Sequence, residues 1–291
     1  MRTIIIADAG GTKTEWLVKR ENTPLHTEII STEGINASVH TDEQITSSIS
    51  TFIEKSSLKE QLETEIDIYF FGAGCNSDAT RERLRDLFSK SPGFTFSGME
   101  FHSDLEGAGR ALFGDERGIA CIIGTGSASG YYDGRRISDS IPSLGYILGD
   151  EGSGAYMGKR LLNMFFKRAL SEEIKVLLQE YNNMEMGEII TRIYRQPGAN
   201  AYLSSFVPFI KKNEKFEQIS KLVDESLKLF FDTNVVKYNK TSSRSIGFVG
   251  SVASIFSERI KVIAEEYGYN VEKFLQKPIL SLGDYYMTHL Y

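Results

Sequence analysis

The chain has 291 residues, of which 41% are hydrophobic and 25% are charged, so it can bury one large core or two medium ones. Its 33 basic and 39 acidic residues give a net charge of −6, which argues against a nucleic-acid partner, because such a surface needs clustered positive charge. No apolar run approaches the length of a membrane span. The charged start leads directly into a strand-like run without a signal-peptide pattern, so we expect a cytoplasmic protein.

The first third of the chain alternates predicted strands and helices. A capping box formed by Thr41 and Gln44 predicts one helix, and further helices are predicted around Leu84–Phe88 and from Ser103 to about Phe113. Apolar runs predict strands at Thr3–Ala7, Glu15–Arg20, Leu25–Ser31, Ile66–Phe71 and Met99–His102.

The pattern then restarts, which predicts an internal duplication of topology. A strand at Gly118–Ile123 is followed by a hairpin around Asp133-Gly134, with strands at Ser129–Tyr132 and Arg135–Ser138. A long helical region precedes a strand at Ser245–Val249, and a last helix follows Pro278. We therefore predict a first domain of residues 1–106 plus a C-terminal helix at 279–291, and a second domain of residues 107–278 with a helical insertion.

The first candidate site is the glycine turn after the first strand. Gly10 and Gly11 let the backbone approach an anion, while Thr12 adds a hydroxyl and Lys13 a positive charge. Asp8, at the end of the strand, could hold Mg²⁺ through water. The turn is not a P-loop, since Gly-x-x-x-x-Gly-Lys-Ser/Thr is absent, and it is not a dinucleotide fingerprint, since Gly-x-Gly-x-x-Gly is absent and a strand follows the turn. A simple hairpin turn is the alternative interpretation.

A second turn, Gly124-Thr125-Gly126-Ser127, repeats this chemistry without the acid. Either turn alone is a weak signal. Because each turn opens one half of the duplicated pattern, we interpret the pair as a clamp that holds one polyphosphate from two sides.

Three further positions stand out by residue type. Asp104 begins a predicted helix directly after a strand. A carboxylate there can take a proton from a hydroxyl, or it can simply be an acid that the helix dipole stabilises. The stretch Gly145–Gly154 places Asp150 and Glu151 among four glycines, which favours a ligand loop because glycines cost backbone entropy. Asn36, considered alone, is most simply a turn residue.

Taken together and in this order, these motifs resemble the N-acetylglucosamine kinase family. That family belongs to the actin–hexokinase–Hsp70 superfamily, which also holds the activator ATPases of benzoyl-CoA reductase and 2-hydroxyacyl-CoA dehydratase. The resemblance covers nearly the whole chain. It implies an α/β fold of two ribonuclease-H-like (actin-like ATPase) domains with a nucleotide cleft between them, and a homodimer.

The resemblance also implies roles for individual residues. ATP phosphates would be bound by Gly10, Gly11, Thr12, Lys13, Gly124, Thr125 and Gly126, with Asp8 near Mg²⁺ and with Gly250 and Ser251 against the adenosine. Asp104 would be the general base. The sugar would be bound by Asn36, Asp104, Ser127, Ser143, Gly145 and Asp150. The implied reaction is ATP-dependent phosphorylation of the primary hydroxyl of an amino sugar, with N-acetylglucosamine the foremost candidate.

Two other functions fit the same motifs. An activator ATPase would hold an iron–sulfur cluster with cysteines, but the only cysteines, Cys75 and Cys121, lie in different halves beside apolar runs and are expected to be buried free thiols. A non-catalytic sugar sensor would bind sugar without consuming ATP. Whether Glu151 is catalytic or structural is left open by the sequence.

Overall fold

The computed structural model describes residues 2–20, 27–60, 65–91, 95–238 and 244–289. The chain divides into two compact units. Unit 1 comprises Met1–Asp115, Gly134–Arg136 and Lys277–Tyr291, and unit 2 comprises Glu116–Asp133 and Ile137–Gln276.

Unit 1 is built on a five-stranded sheet in the order β3-β2-β1-β4-β5. The central strand β1 pairs antiparallel with β2 and parallel with β4. The strands are β1 (Arg2–Ala9), β2 (Lys13–Arg20), β3 (Glu28–Glu33), β4 (Glu65–Gly72) and β5 (Phe96–Ser103). Part of the third predicted strand, at Leu25 and His26, lies outside the described residues, and β3 continues two residues beyond its predicted end at Ser31.

Three helices follow these strands, namely α1 (Asp42–Lys55), α2 (Asp78–Ser89) and α3 (Asp104–Phe113). The predicted capping box is confirmed, because Thr41 accepts from the Gln44 amide while the Gln44 side chain accepts from the Thr41 amide. Helix α1 buries Phe52 against Trp16 of β2, with ring centroids 4.4 Å apart. A short 3-10 turn at Ser57–Glu60 follows α1.

The C-terminal helix (Ile279–His289) also belongs to unit 1. A side chain at Gly283 would collide with Leu17, so glycine lets the helix lie close to β2. Tyr286 stacks on Tyr69 of β4 with centroids 3.8 Å apart, and Asp284 pairs with Lys19 at 2.6 Å. The expected boundary at residues 106/107 falls inside α3, and unit 1 extends to Asp115 because α3 packs on its strands.

Unit 2 repeats the topology of unit 1, with the strand order β10-β9-β6-β7-β8. Strand β6 is central, antiparallel to β7 and parallel to β9, as β1 is to β2 and β4. The predicted duplication is therefore confirmed. The strands are β6 (Gly118–Ile123), β7 (Ser127–Tyr132), β8 (Ile137–Ile141), β9 (Ser245–Val249) and β10 (Asn270–Leu275). The sequence pattern did not predict β10, because this edge strand has no buried residue and shows no apolar alternation.

The helices of unit 2 lie mostly between β8 and β9. They are α4 (Gly145–Leu148), α5 (Gly154–Phe166), α6 (Glu172–Tyr181), α7 (Met186–Tyr194), α8 (Ala199–Ser204), α9 (Val207–Lys212) and α10 (Glu217–Thr233), followed after β9 by α11 (Ser251–Ile255) and α12 (Ser257–Glu266). A 3-10 turn occupies Val235–Tyr238. In the part of the chain that is described, no helix has the length and apolar character needed to span a bilayer.

Candidate functional site

The first glycine turn connects β1 to β2 in unit 1 and is exposed along Gly10–Lys13. The Gly10 amide donates to the Lys13 carbonyl at 2.9 Å, and the Gly34 amide donates to the Thr12 carbonyl at 3.2 Å. A Cβ on Gly34 would lie 2.5 Å from the Gly10 carbonyl oxygen, so only glycine fits there. Gly34 therefore packs against the backbone of the turn on its protein side. The other side of the turn is exposed and can contact a ligand.

Asp8 is the residue before the last in strand β1 and lies opposite Glu15 of β2. Burial raises the pKa of Asp8 to about 7, and the neighbouring charges of Asp104 and Glu15 add to the effect. A cation at this carboxylate would relieve that repulsion, so the donor chemistry fits Mg²⁺. Among the described residues no group of three or more His, Cys, Asp or Glu side chains could enclose a metal. Mg²⁺ held here would therefore keep water and phosphate ligands, as it commonly does.

Two lysines meet at Glu15, a residue that the sequence reasoning missed. Lys13 and Lys277 each place Nζ 2.7 Å from Glu15 Oε1. Burial by itself would raise the pKa of Glu15, but the hydrogen bonds and charges of the two lysines bring it below its ordinary value. A charged residue directly before the apolar run Trp16–Val18 of β2 was the available signal for Glu15. The distant Lys277 carried no comparable signal.

Asp104 is the first residue of α3, directly after β5. Ser103 caps the helix by accepting from the Glu106 amide at 3.1 Å, so Asp104 is not needed as the N-cap. Its Oδ1 accepts from the Leu105 amide at 2.9 Å. Burial raises the pKa of Asp104 above its ordinary value, although backbone hydrogen bonds oppose this. The position and the electrostatics are those of a carboxylate that can accept a proton.

Asn36 is a turn residue in this structure. Its Oδ1 accepts from the Ser38 amide at 3.0 Å, and its backbone amide donates to Nδ1 of His40 at 3.2 Å. Gly74 lies directly against this carbonyl group and has a positive φ of 78°. Contact of Asn36 with a sugar stays a prediction.

The second glycine turn connects β6 to β7 in unit 2. The Gly124 amide donates to the Gly126 carbonyl at 2.9 Å. The first amides of α5 then bond to the turn, from Gly154 to the Gly124 carbonyl at 2.9 Å and from Ala155 to the Thr125 carbonyl at 3.1 Å. The turn is thus fixed by α5, the helix that follows the loop carrying Asp150 and Glu151, hereafter called the acidic loop.

Gly250 lies against this second turn. It has a positive φ of 121°, and a Cβ there would collide with the Ile123 carbonyl and lie 3.2 Å from the Gly124 nitrogen. Its own amide donates to the Leu275 carbonyl of β10 at 2.9 Å. Ser251, the other predicted adenosine residue, is exposed at the start of α11. The structure therefore brings Gly250 next to Gly124, and Ser251 is the residue that follows Gly250 in the chain.

Three of the predicted sugar residues line one small cavity of about 150 Å³ in unit 2. Asp150 Oδ1 accepts from the Ser127 amide at 3.3 Å and from Ser143 Oγ at 3.4 Å. Burial raises the pKa of Asp150, whereas these two hydrogen bonds lower it. Asp150 also has a positive φ of 59°, a conformation that costs energy for a non-glycine residue. The cavity is hereafter called the polar cavity.

Glu151 also lines the polar cavity, while Gly145 does not. The Glu151 carbonyl accepts from Ser127 Oγ at 2.9 Å. Gly145 lies at the start of α4 with a positive φ of 72°, a conformation that favours glycine, and its contact with a sugar stays a prediction. Asn234, which the sequence reasoning missed, completes one wall of the cavity.

The glycines at the end of the acidic loop serve packing. A Cβ on Gly152 would lie 2.9 Å from Phe230 Cβ of α10, and one on Gly154 would lie 3.0 Å from Val207 of α9. We expected the glycines of this loop to allow a ligand to approach. At Gly152 and Gly154 the reason is packing, because a side chain there would collide with α10 or α9.

Both cysteines are fully buried, Cys75 in unit 1 and Cys121 in unit 2. Burial raises the pKa of the Cys75 thiol to about 11 and that of Cys121 well above its ordinary value. The prediction of buried free thiols is confirmed.

Comparison with solved structures finds matches that cover nearly the whole chain. A protein from Porphyromonas gingivalis that is provisionally named an N-acetylglucosamine kinase is 33% identical, with a TM-score of 0.87, and the match covers 99% of this chain and 100% of that one. A provisionally named N-acetylglucosamine kinase from Chromobacterium violaceum is 15% identical, with a TM-score of 0.73, over 97% of this chain and 99% of that one.

A ROK family glucokinase from Streptomyces griseus, solved with glucose and AMPPNP, is 16% identical, with a TM-score of 0.56, over 97% of this chain and 98% of that one. No protein-family model matches the chain, and no curated protein matches it. These similarities and the two five-stranded sheets confirm the predicted fold class, a two-domain actin-like ATPase fold.

Proposed function

This chain belongs to the family of the Porphyromonas gingivalis protein provisionally named an N-acetylglucosamine kinase, and from that premise we propose that it is an ATP-dependent sugar kinase. Its substrate is an amino sugar, N-acetylglucosamine first, and the acceptor is the primary hydroxyl. The observation that carries the proposal is 33% identity along 99% of the chain. The convergence of Ser127, Ser143 and Asp150 on one polar cavity supports the sugar part.

Phosphoryl transfer depends on positioning and charge neutralisation rather than on covalent chemistry by the protein. In the proposed reaction the exposed turns Gly10–Lys13 and Gly124–Gly126 bind the phosphates of ATP, and Gly250 and Ser251 contact the adenosine. Mg²⁺ held near Asp8 would neutralise phosphate charge when bound. That a related kinase fold was solved with AMPPNP supports nucleotide binding.

Asp104 is the proposed general base. It orients the primary hydroxyl and accepts its proton as the new bond to phosphorus forms. Its raised pKa makes it a better proton acceptor than an ordinary aspartate. The pair Ser143 and Asp150 then binds sugar hydroxyls, with Ser127 and Asn36 as additional contacts.

The proposal is tested by coupled measurement of ATP consumption over a panel that contains N-acetylglucosamine, glucosamine, N-acetylmannosamine and glucose, with ATP alone as the control. We expect the highest kcat/KM for N-acetylglucosamine. Nuclear magnetic resonance of the product should show a phosphate ester at its primary hydroxyl. Saturable sugar binding without ATP consumption would identify a sensor instead, and iron in the purified protein would favour an activator ATPase. A homodimer and a cytoplasmic location stay predictions.

A further inference from the structure

A second and larger cavity lies in unit 2, among α4, α5, α7 and α8. Its volume is about 460 Å³, which is within the range of small-molecule sites. The described lining is largely aliphatic and aromatic, with Leu162, Ile189 and Leu203 buried at its base. None of the residues that line it is acidic. We refer to it as the apolar cavity.

The rim of the apolar cavity exposes large hydrophobic side chains to solvent. Tyr194 is 76% exposed, Ile147 71%, Met186 56% and Ile190 45%. Contiguous apolar surface of this kind marks interaction sites. An occupant that contacts both the base and the rim must therefore be largely apolar.

Two lysines define the polar part of the occupant. Lys159 and Lys167 both line the apolar cavity, and within the described residues neither forms an ion pair with a carboxylate. Lys159 donates to the Tyr146 carbonyl at 2.9 Å, and Lys167 is exposed at the end of α5. Positive charge beside an apolar surface without any acid is complementary to an amphipathic anion.

The segment 144–149, which contains α4, separates the two cavities of unit 2. Leu144 and Gly149 line the polar cavity, whereas Tyr146 and Ile147 line the apolar one. We call segment 144–149 the wall segment. Lys159 holds it through the hydrogen bond to the Tyr146 carbonyl, and the positive charge of Lys159 also acts on Asp150. An occupant of the apolar cavity would therefore contact both the wall of the polar cavity and a charge that acts on it.

We propose that the apolar cavity binds a single-chain acyl carboxylate, with its chain along α5 and α7 and its carboxylate at the exposed Lys167, and that this binding stabilises the wall segment of the polar cavity. The regulatory consequence, a change in sugar affinity, rests on the proposed function. The binding itself does not.

The test is isothermal titration calorimetry of the full chain with decanoate. We expect saturable binding with one site per chain. Butyrate should bind more than about a hundredfold more weakly, because each buried methylene contributes about a factor of four. Removing the charge with Lys167→Gln should weaken decanoate about threefold, as for an exposed ion pair.

Ile190→Asp should abolish decanoate binding, because it places a negative charge on the exposed rim. Val262→Asp is the matched control, since Val262 is 57% exposed on α12 of the same unit and does not line the cavity. This control should bind decanoate as the unmodified chain does. Both variants replace exposed side chains, and unchanged far-ultraviolet circular dichroism verifies that they fold.

Hydrogen exchange tests the second half of the proposal without requiring kinase activity. Saturating decanoate should slow exchange of the Gly149 amide, which donates to the Gly145 carbonyl at 2.8 Å, and should leave exchange in Ile190→Asp unchanged. Loss of the proposed kinase activity alone would not affect these readouts.

Two outcomes would overturn the proposal. The first is equal decanoate binding by Ile190→Asp and the unmodified chain. The second is absence of saturable decanoate binding by the unmodified chain, and conversion from dimer to monomer by Ile190→Asp would then assign this surface to a second copy of the chain.

Discussion

At the scale of single residues, environment separates carboxylates that have the same chemistry. Burial raises the pKa of Asp8, Asp104 and Asp150, which means that the bare charged carboxylate is disfavoured. A proton, a cation or a polar ligand would therefore stabilise each of these side chains. Glu15 is also buried, but two lysines hold its pKa below the ordinary value. The first three are therefore suited to ligand and proton chemistry, and Glu15 to holding Lys13 and Lys277 in position.

Asp104→Asn should lower kcat by about a hundredfold to ten-thousandfold, the usual contribution of a general base. ATP affinity should stay nearly unchanged, because the substitution removes a proton acceptor and keeps the shape. Asp78→Asn is the matched control, since Asp78 also follows a serine N-cap at the first position of a helix in unit 1. Turnover is measured with saturating sugar and ATP. Near-normal turnover of Asp104→Asn would remove Asp104 from the role of base.

Glu15→Gln should lower the free energy of unfolding at pH 7 by about 1 kcal/mol, a value discounted because both lysines are about half exposed. The folded pKa of Glu15 lies below its unfolded value, so its stabilisation is present above the ordinary value of 4.5 and is lost as the pH falls through the folded pKa.

Urea unfolding at pH 7 and at lower pH measures this contribution. The difference between Glu15→Gln and the unmodified chain should shrink as the solution is acidified. Glu82→Gln is the control, because Glu82 forms an exposed pair with Arg85, and it should change stability little. A difference for Glu15→Gln that is independent of pH would contradict a role for its charge.

At the scale of elements, each glycine turn is held by a glycine that comes from elsewhere in its unit. Gly34 supports the turn between β1 and β2, and Gly250 supports the turn between β6 and β7. In both cases a side chain would meet the backbone of the turn itself. The phosphate-binding geometry that we propose therefore depends on contacts between elements as well as on the turn sequence.

Gly250→Ala should destabilise the protein by about 1–3 kcal/mol, because alanine is strained at a φ of 121° and its Cβ meets the Ile123 carbonyl. It should also weaken nucleotide binding about tenfold by displacing Gly124. Thermal unfolding and nucleotide titration measure the two effects.

Gly268→Ala separates strain from contact. Gly268 has a positive φ of 76°, and a Cβ there would have no heavy atom within 4 Å among the described surroundings. This variant should lose about 1 kcal/mol of stability and keep its nucleotide affinity. Equal nucleotide affinities for the two variants would show that Gly250 does not shape the second turn.

At the scale of the whole molecule, two units of the same topology carry different chemistry. Unit 1 contributes the acids Asp8 and Asp104, and unit 2 contributes the polar cavity around Asp150. The duplication therefore supplies two similar glycine turns, while Asp8 within β1, Asp104 after β5 and Asp150 after β8 provide the differences.

Removal of Mg²⁺ should separate these contributions. Chelation with EDTA should lower turnover by more than about a hundredfold, because uncompensated phosphate charge opposes the transfer. Sugar affinity measured by calorimetry without nucleotide should change by less than about threefold, because Ser127, Ser143 and Asp150 need no metal. Restoration of turnover by added Mg²⁺ is the control. A parallel loss of sugar binding would contradict this division.

Much of the fold could be predicted from the sequence because it depends on local patterns. The runs at β1 and β6, the capping box at Thr41 and the duplicated order of strands and turns are signals within short segments. The edge strand β10 was missed because it shows no apolar alternation. It is a strand because it pairs parallel with β9, a contact that no local pattern shows.

By itself the sequence determined the repeated strand-and-glycine turns, the acids that follow them and hence the family resemblance, since these are properties of residue type and spacing. Only the tertiary structure decided that Lys277 reaches Glu15, that Gly34 and Gly250 support the turns, and that Gly152 and Gly154 serve helix packing. Each of these is a contact between segments distant along the chain. Such contacts depend on how elements pack, and no local pattern encodes them.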